Sequence, residues 1–197
     1  MFYKVEIQDH IRVPPALLNE PLDKAVLTQL RDKFEGYISR DFGNVIDVSE
    51  ILEIGEGVII PGDGAPYYKT KFVLLSFKPE LQEVVQGRIK DMADFGAFIN
   101  MGPMDGMIHI SQTMDDFVSF SKEKVLTGRD SHRTLKVGDE CRARIIAISF
   151  KDISNPKIGV TMRQQGLGKL EWIKEDLEKG APAAPKKEEK KETKKKK

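Results

Sequence analysis

The sequence is poor in the residues that build covalent and metal frameworks. One cysteine, Cys141, among 197 residues rules out an intrachain disulfide network. Three histidines, His10, His109 and His132, stand too far apart for zinc-ligand spacing. No cofactor or metal is therefore expected. No run approaches the ~20 apolar residues of a membrane span, and the opening Met-Phe-Tyr-Lys-Val-Glu-Ile mixes charged and apolar residues where a signal peptide would be uniformly apolar. A cytoplasmic protein with no membrane contact is the expectation. Aromatic residues are also few, at 8%.

A net charge of +1 hides an asymmetry. Residues 186–197 hold eight lysines and three glutamates, leaving 24 cations against 28 anions in the first 185 residues. Bulk attraction to nucleic acid is absent from that larger part, so any such binding has to rest on a local patch.

Phe2 to Val13 alternates apolar and polar residues with the period of a half-buried strand, and Pro14-Pro15 stops it. A helix is predicted next, capped at Asn19, with Pro21 near its first turn and apolar positions Leu22, Val26, Leu30, Phe34 and Tyr37 or Ile38; Gly43 ends it. Val45 to Ile60 reads as one or two strands, Pro61 to Pro66 as a turn, and Tyr67 to Phe77 as a further strand. This β-α-β-β order predicts a small α+β domain over residues 1–79.

Five strand-like runs follow, Glu83 to Lys90, Gly96 to Met101, Gly106 to Ile110, Glu140 to Ser149 and Lys157 to Arg163, which suit an all-β barrel of the OB type over residues 80–165. The connection from Gln112 to Gly138 is expected to hold a helical turn and a flexible charged loop. A short helix is expected within 166–179, centred on Leu167 to Leu177, and residues 180–197 form a basic tail with too little apolar surface to fold.

No catalytic constellation emerges. Gly55-Glu-Gly57 and Gly62-Asp-Gly64 lack the spacing and the lysine of a phosphate loop and read as turns. Asp115-Asp116 has no third carboxylate to complete a metal site and reads as a solvated loop. His132 among basic neighbours, and His10 beside Asp9, lack a proton-transfer partner. The informative segment is Glu83 to Gln112, where Phe95 and Phe98 flank Gly96-Ala97 close to His109. Aromatics on a barrel face offer stacking platforms to unpaired bases. Along an ideal strand, however, residues three apart point to opposite faces, so one ring could be core unless the chain bends at Gly96.

Gly87, Asp94-Phe95-Gly96-Ala97-Phe98, Gly106-Met107-Ile108-His109-Ile110-Ser111, Leu135-Lys136-Val137-Gly138-Asp139 and Val160-Thr161-Met162-Arg163 resemble, in order, the motifs of the S-one RNA-binding domain. The resemblance implies an RNA face containing Phe95, Phe98 and His109. It also implies an acid and a base around the last hairpin, where this chain has Ser149 and Lys157; lysine lacks the planar fork of arginine. Arg144, alternating with Arg142, is a candidate phosphate contact.

The N-terminal half, from Met-Phe-Tyr-Lys-Val through Pro-Pro and Gly-Asp-Gly to Tyr-Tyr-Lys-Thr-Lys-Phe, is similar to the E-prime family of archaeal RNA polymerase stalk subunits. That family implies an RNP-like N-terminal domain, a heterodimer with the small F subunit of the polymerase, and docking on the polymerase core through a loop that here includes Gly57, Pro61, Gly62, Asp63 and Gly64. It implies contact with nascent single-stranded RNA. An S-one subunit of an RNA-degradation or translation complex is the alternative.

Overall fold

The computed structural model describes residues 1–121, 124–152 and 156–178. The chain opens with strand β1 (Phe2–Arg12), whose side chains alternate between half-buried and exposed as its sequence period requires. After a single 3-10 turn comes helix α1 (Leu22–Phe34). It is capped by Pro21, without a side-chain hydrogen bond, and Asn19 lies outside it. The predicted end at Gly43 is corrected. The helix stops at Glu35, because Gly36 has φ +74°, a conformation open to glycine that ends helices. Ile38 belongs to the two-residue strand β2 (Ile38–Ser39), which pairs with the start of β3. The apolar spacing had carried the helix pattern one turn too far.

Strand β3 (Gly43–Ile59) is one continuous element and pairs with β4 (Pro66–Phe77) to give an antiparallel sheet in the order β1-β4-β3-β2. Four register shifts let the 17 residues of β3 match the 12 of β4. Such irregularities bend and twist a strand. Helix α1 buries Ala25, Val26 and Leu30 against Ile11, Val45, Phe72 and Leu74 of the sheet. Lys33 and Arg31 in its last turn pair with Asp9 and Asp47 of the strands.

The second half is a closed barrel. Strands β5 (Val84–Ala93), β6 (Gly96–Asn100) and β7 (Asp105–His109) form a meander. The predicted helical turn and charged loop between Gln112 and Gly138 is only partly present. A 3-10 turn, Ile110–Gln112, is followed by a three-stranded antiparallel sheet, β8 (Val118–Ser121), β9 (Val125–Gly128) and β10 (Thr134–Lys136). The strands were too short for their period to stand out, yet Leu126 and Leu135 plug into the barrel core. Strands β11 (Glu140–Ser149) and β12 (Lys157–Thr161) close the barrel: β11 pairs with β5 and β12, and β12 runs parallel to β7.

A short strand β13 (Gly168–Lys169) on β11 leads into helix α2 (Leu170–Glu178), which starts three residues later than Leu167 and buries Trp172. The basic tail from residue 180 lies outside the described residues. The two halves share a seam. Phe77 of β4 belongs to the barrel core, Asn44 Nδ2 donates to the Pro103 carbonyl at 2.9 Å, and an Arg40 guanidinium nitrogen donates to the Phe150 carbonyl at 3.3 Å.

Candidate nucleic-acid interface

The structure resolves the question of the two phenylalanines. Phe95 is not on a strand. It occupies the two-residue turn between β5 and β6, where the alternation rule does not apply. Its ring, 47% exposed, meets that of Phe98 edge to face, with centroids 6.0 Å apart and planes at 87°. Gly96 makes this possible, because any Cβ there would be driven into the Ile108 carbonyl oxygen of the adjacent strand. Its absence lets the turn lie flat on β7.

Phe98 pairs with Met107, and Gly96 with His109, so Phe98, Met107 and His109 share the outer face of β6 and β7 while Ala97, Ile99 and Ile108 fill the core. His109 is exposed and oriented from one side only. Its Nδ1 lies 2.8 Å from Ser111 Oγ and accepts from the Ser111 amide at 3.3 Å. With Nδ1 as acceptor, the proton of a neutral ring is on Nε2, which points a donor outward. Three of the predicted residues therefore converge.

The other two are placed differently. Arg144 pairs with Thr161, the residue after the Val160–Ile108 pair, so it lies in the same cross-barrel row as His109 but two strands further round. It is half-buried, and its Nε is enclosed without a hydrogen-bond partner. Lys157 begins β12 opposite Ser149, at the far end of the strand from Thr161, or ~13 Å along it at ~3.3 Å per residue. It is exposed, yet it is not part of the aromatic cluster.

One cation at the cluster escaped the sequence reading. Asp91 is the β5 partner of Phe98, and Lys124, in the turn just before β9, reaches it with an Nζ to Oδ1 distance of 2.7 Å. This ion pair, with the Met92 amide, holds the Asp91 carboxyl below its ordinary range and fixes a lysine at the edge of the rings. No local signal marks Lys124, because it lies 33 residues from Asp91 and arrives only through the small sheet.

Asp115 and Asp116 are not merely solvated. Asp116 Oδ2 accepts from the Asp130 and Ser131 amides at 3.0 and 2.9 Å and from Ser131 Oγ at 2.8 Å, and its Oδ1 accepts from the Phe117 amide. These bonds depress its carboxyl pKa and bracket the β9–β10 loop. Asp115 pairs with Arg163 at 2.6 Å. Cys141 is buried and its thiol is pushed up to about 12 by burial, so it is no nucleophile at neutral pH. Among the described residues no group of three His, Cys, Asp or Glu side chains could hold a metal ion, and no helix is long and apolar enough to cross a membrane.

The hairpin tip between β3 and β4 is the other conspicuous surface. The Asp63 carboxylate is engaged within the tip itself. It receives Arg12 Nε at 2.7 Å and a second guanidinium nitrogen at 2.8 Å, the Tyr67 hydroxyl at 2.8 Å and the Ala65 amide. Arg12 and Tyr67 hold its pKa well below the usual carboxylate range. What the tip presents is Val58, Ile59 and Ile60, with Ile59 67% exposed. The Val-Ile-Ile run was visible in the sequence as the end of a strand leading into the loop assigned to docking.

Comparison with known proteins agrees with this geometry. Residues 8–64 match the model described as the SHS2 domain found in the N terminus of Rpb7p/Rpc25p/MJ0397, and residues 78–152 match the S1 RNA binding domain. DNA-directed RNA polymerase subunit Rpo7 of Saccharolobus solfataricus is 35% identical over 88% of this chain and 97% of its own length. The Rpo7 subunit of Sulfolobus acidocaldarius is 35% identical over 92% of this chain and 100% of its own. Subunit RPC8 of DNA-directed RNA polymerase III of Bos taurus is 26% identical over 78% of this chain and 79% of its own. An SHS2 domain of this type followed by an S1 barrel, with such identity from end to end, means that the chain belongs to the Rpo7 family of DNA-directed RNA polymerase subunits.

Proposed function

We propose that this chain is a non-catalytic stalk subunit of an archaeal RNA polymerase, pairing with the F subunit, docking on the core through its N-terminal domain (residues 1–79) and guiding nascent single-stranded RNA over its barrel (80–165) in initiation and elongation. The observation that carries the RNA reading is the edge-to-face pair of exposed Phe95 and half-buried Phe98 beside the outward donor of His109. Every base has a π-face, so such a platform holds RNA without reading its sequence. Lys124 at its edge, with Lys157 and Arg144 further round, supplies scattered positive charge. Weak attraction suits a transcript that has to keep moving, and the surplus of acidic residues in the first 185 limits non-specific grip.

The docking reading is supported by the aliphatic tip Val58, Ile59 and Ile60 on a hairpin stiffened by Arg12–Asp63. Pairing with a second subunit is supported by Phe2, Leu81, Val84 and Ile146, exposed apolar side chains near the seam of the two halves. The non-catalytic reading is supported by the acids already engaged in structure: Asp63, Asp91 and Asp116 each hold a structural partner.

The test is titration of a fluorescent single-stranded RNA with the wild-type chain and with Phe98→Ala. A loss of affinity of about tenfold with an unchanged circular-dichroism spectrum supports the reading; unchanged affinity removes Phe98 from the site.

A further inference from the structure

The most exposed aromatic of the molecule plays no part in the site described above. Phe117 is 79% exposed, although its backbone is held tightly: its amide donates to Asp116 and its carbonyl accepts from the Arg129 amide at 2.8 Å. A large ring on a fixed backbone, in water, without an apolar neighbour to bury it, is an anchor without its partner.

The ring forms a ridge between two clefts of opposite character. On one side is a hollow of about 610 Å³ lined by Ile110, Ser111, Asp115, Asp130 and Arg163. Asp115 keeps free acceptor capacity there beyond its bond to Arg163, since its side chain is mostly exposed. On the other side a second hollow, of about 390 Å³, is bordered by Arg129 and His132. Neither of these two side chains has an ion-pair or hydrogen-bond partner among the described residues, and His132 is held at φ +54° by the bracketed loop.

The acidic hollow continues the aromatic platform. Ser111, which lines it, is the residue that orients His109, and the Ile110 amide donates to the Phe95 carbonyl at 2.9 Å. A strand of nucleic acid leaving Phe95 and His109 would therefore reach Phe117 without leaving the surface.

We propose that Phe117 is a second nucleotide-binding station, added to the barrel by the small three-stranded sheet. The ring stacks one base, the carboxylate side accepts from an exocyclic amino group, and Arg129 and His132 meet the phosphate on the opposite side. A nucleotide carries its donors and its negative charge at opposite ends, and the ridge presents complementary groups in the same order. Adenine, cytosine and guanine carry an amino group and uracil does not, so the station disfavours uridine.

This inference rests on the RNA reading of the barrel, and one experiment separates the two. Wild-type, Phe98→Ala, Phe117→Ala and Phe117→Trp chains are titrated with labelled A14 and U14 RNA, with circular dichroism confirming the fold. Phe117→Ala is expected to lose about tenfold in affinity for A14, the loss of one base–aromatic stack. Phe117→Trp should restore A14 binding, and U14 should bind the wild-type chain several-fold more weakly than A14. If Phe98→Ala weakens A14 while Phe117→Ala does not, the second station is overturned and the RNA reading stands. If the wild-type chain binds none of the RNAs, both fall. If Phe117→Ala leaves RNA affinity unchanged but releases another polymerase subunit in a pulldown, the ridge is a protein contact, and the proposal is likewise overturned.

Discussion

The two ends of this molecule expose hydrophobic side chains of different kinds. The hairpin tip shows the aliphatic residues Val58, Ile59 and Ile60, whereas the barrel shows the aromatic residues Phe95, Phe117 and Phe120. An aliphatic side chain gains only by leaving water, and does so best in a close-packed protein pocket. A phenyl ring also offers a flat face and a quadrupole, and can hold one base after another as a strand slides. The scaffolds follow the same division. The tip is a long hairpin stiffened at its turn by Arg12 and Asp63, suited to insertion, while the barrel face is broad and carries its polar groups beside the rings. Side-chain type thus separates a surface for a fixed partner from one for a moving ligand.

The contrast can be broken most severely at Gly96. Replacing it by valine forces a branched side chain onto the Ile108 carbonyl, and should cost ~3 kcal/mol or more, seen as a large drop in the denaturant midpoint of the barrel together with loss of RNA binding. Retained stability would mean that β6 and β7 can part without penalty. Next in size, Ile59→Asp should abolish retention of polymerase core subunits in a pulldown, by tenfold or more, while leaving RNA affinity intact. Loss of both would show that the surfaces are not independent. Lys124→Ala should weaken RNA binding about two- to threefold and flatten its salt dependence slightly, as expected for one solvent-exposed cation.

The smallest effect is one of pH. The folded-state pKa of Asp63 lies below its unfolded value, so its contribution to holding the tip is fully present above about pH 4 and is lost as pH falls toward the depressed value. An NMR titration should find the Asp63 midpoint below that of an unfolded aspartate, and Arg12→Ala should raise it toward the ordinary range, with Tyr67 and the Ala65 amide still holding part of the depression. A normal midpoint in the wild-type chain would mean that the bidentate pair does not persist in solution.

Much of this was legible in the sequence. The strands of the first sheet and the five strands of the barrel carry enough period and β-branched content to be read directly, and the ordered motifs from Gly87 to Arg163 pointed to the barrel face. Three things were not legible. The end of α1 was misplaced because Tyr37 and Ile38 continue a helical spacing that Gly36 has already interrupted. Strands β8 to β10 are three or four residues long, shorter than any periodic signal. Phe117 and Lys124 were overlooked because that small sheet alone sets them against the barrel. Phe95 shows the opposite case: its motif was noticed, but strand alternation left its side undecided, and the turn decided it.

The pairing of β12 with β7 also bears on the order in which the chain acquires structure. Every strand of the first sheet has been made by Phe77, where β4 returns to pair with β1 and Phe77 lies opposite Phe2. The barrel stays open until Ile158 to Val160 reach Gly106 to Ile108, some fifty residues back along the chain. Both closures bridge long loops and are slow, but the strands that make the second are synthesised much later. On a ribosome the N-terminal half can therefore be complete while the barrel is still a meander, leaving the edge of β7 unpaired until the last strand emerges.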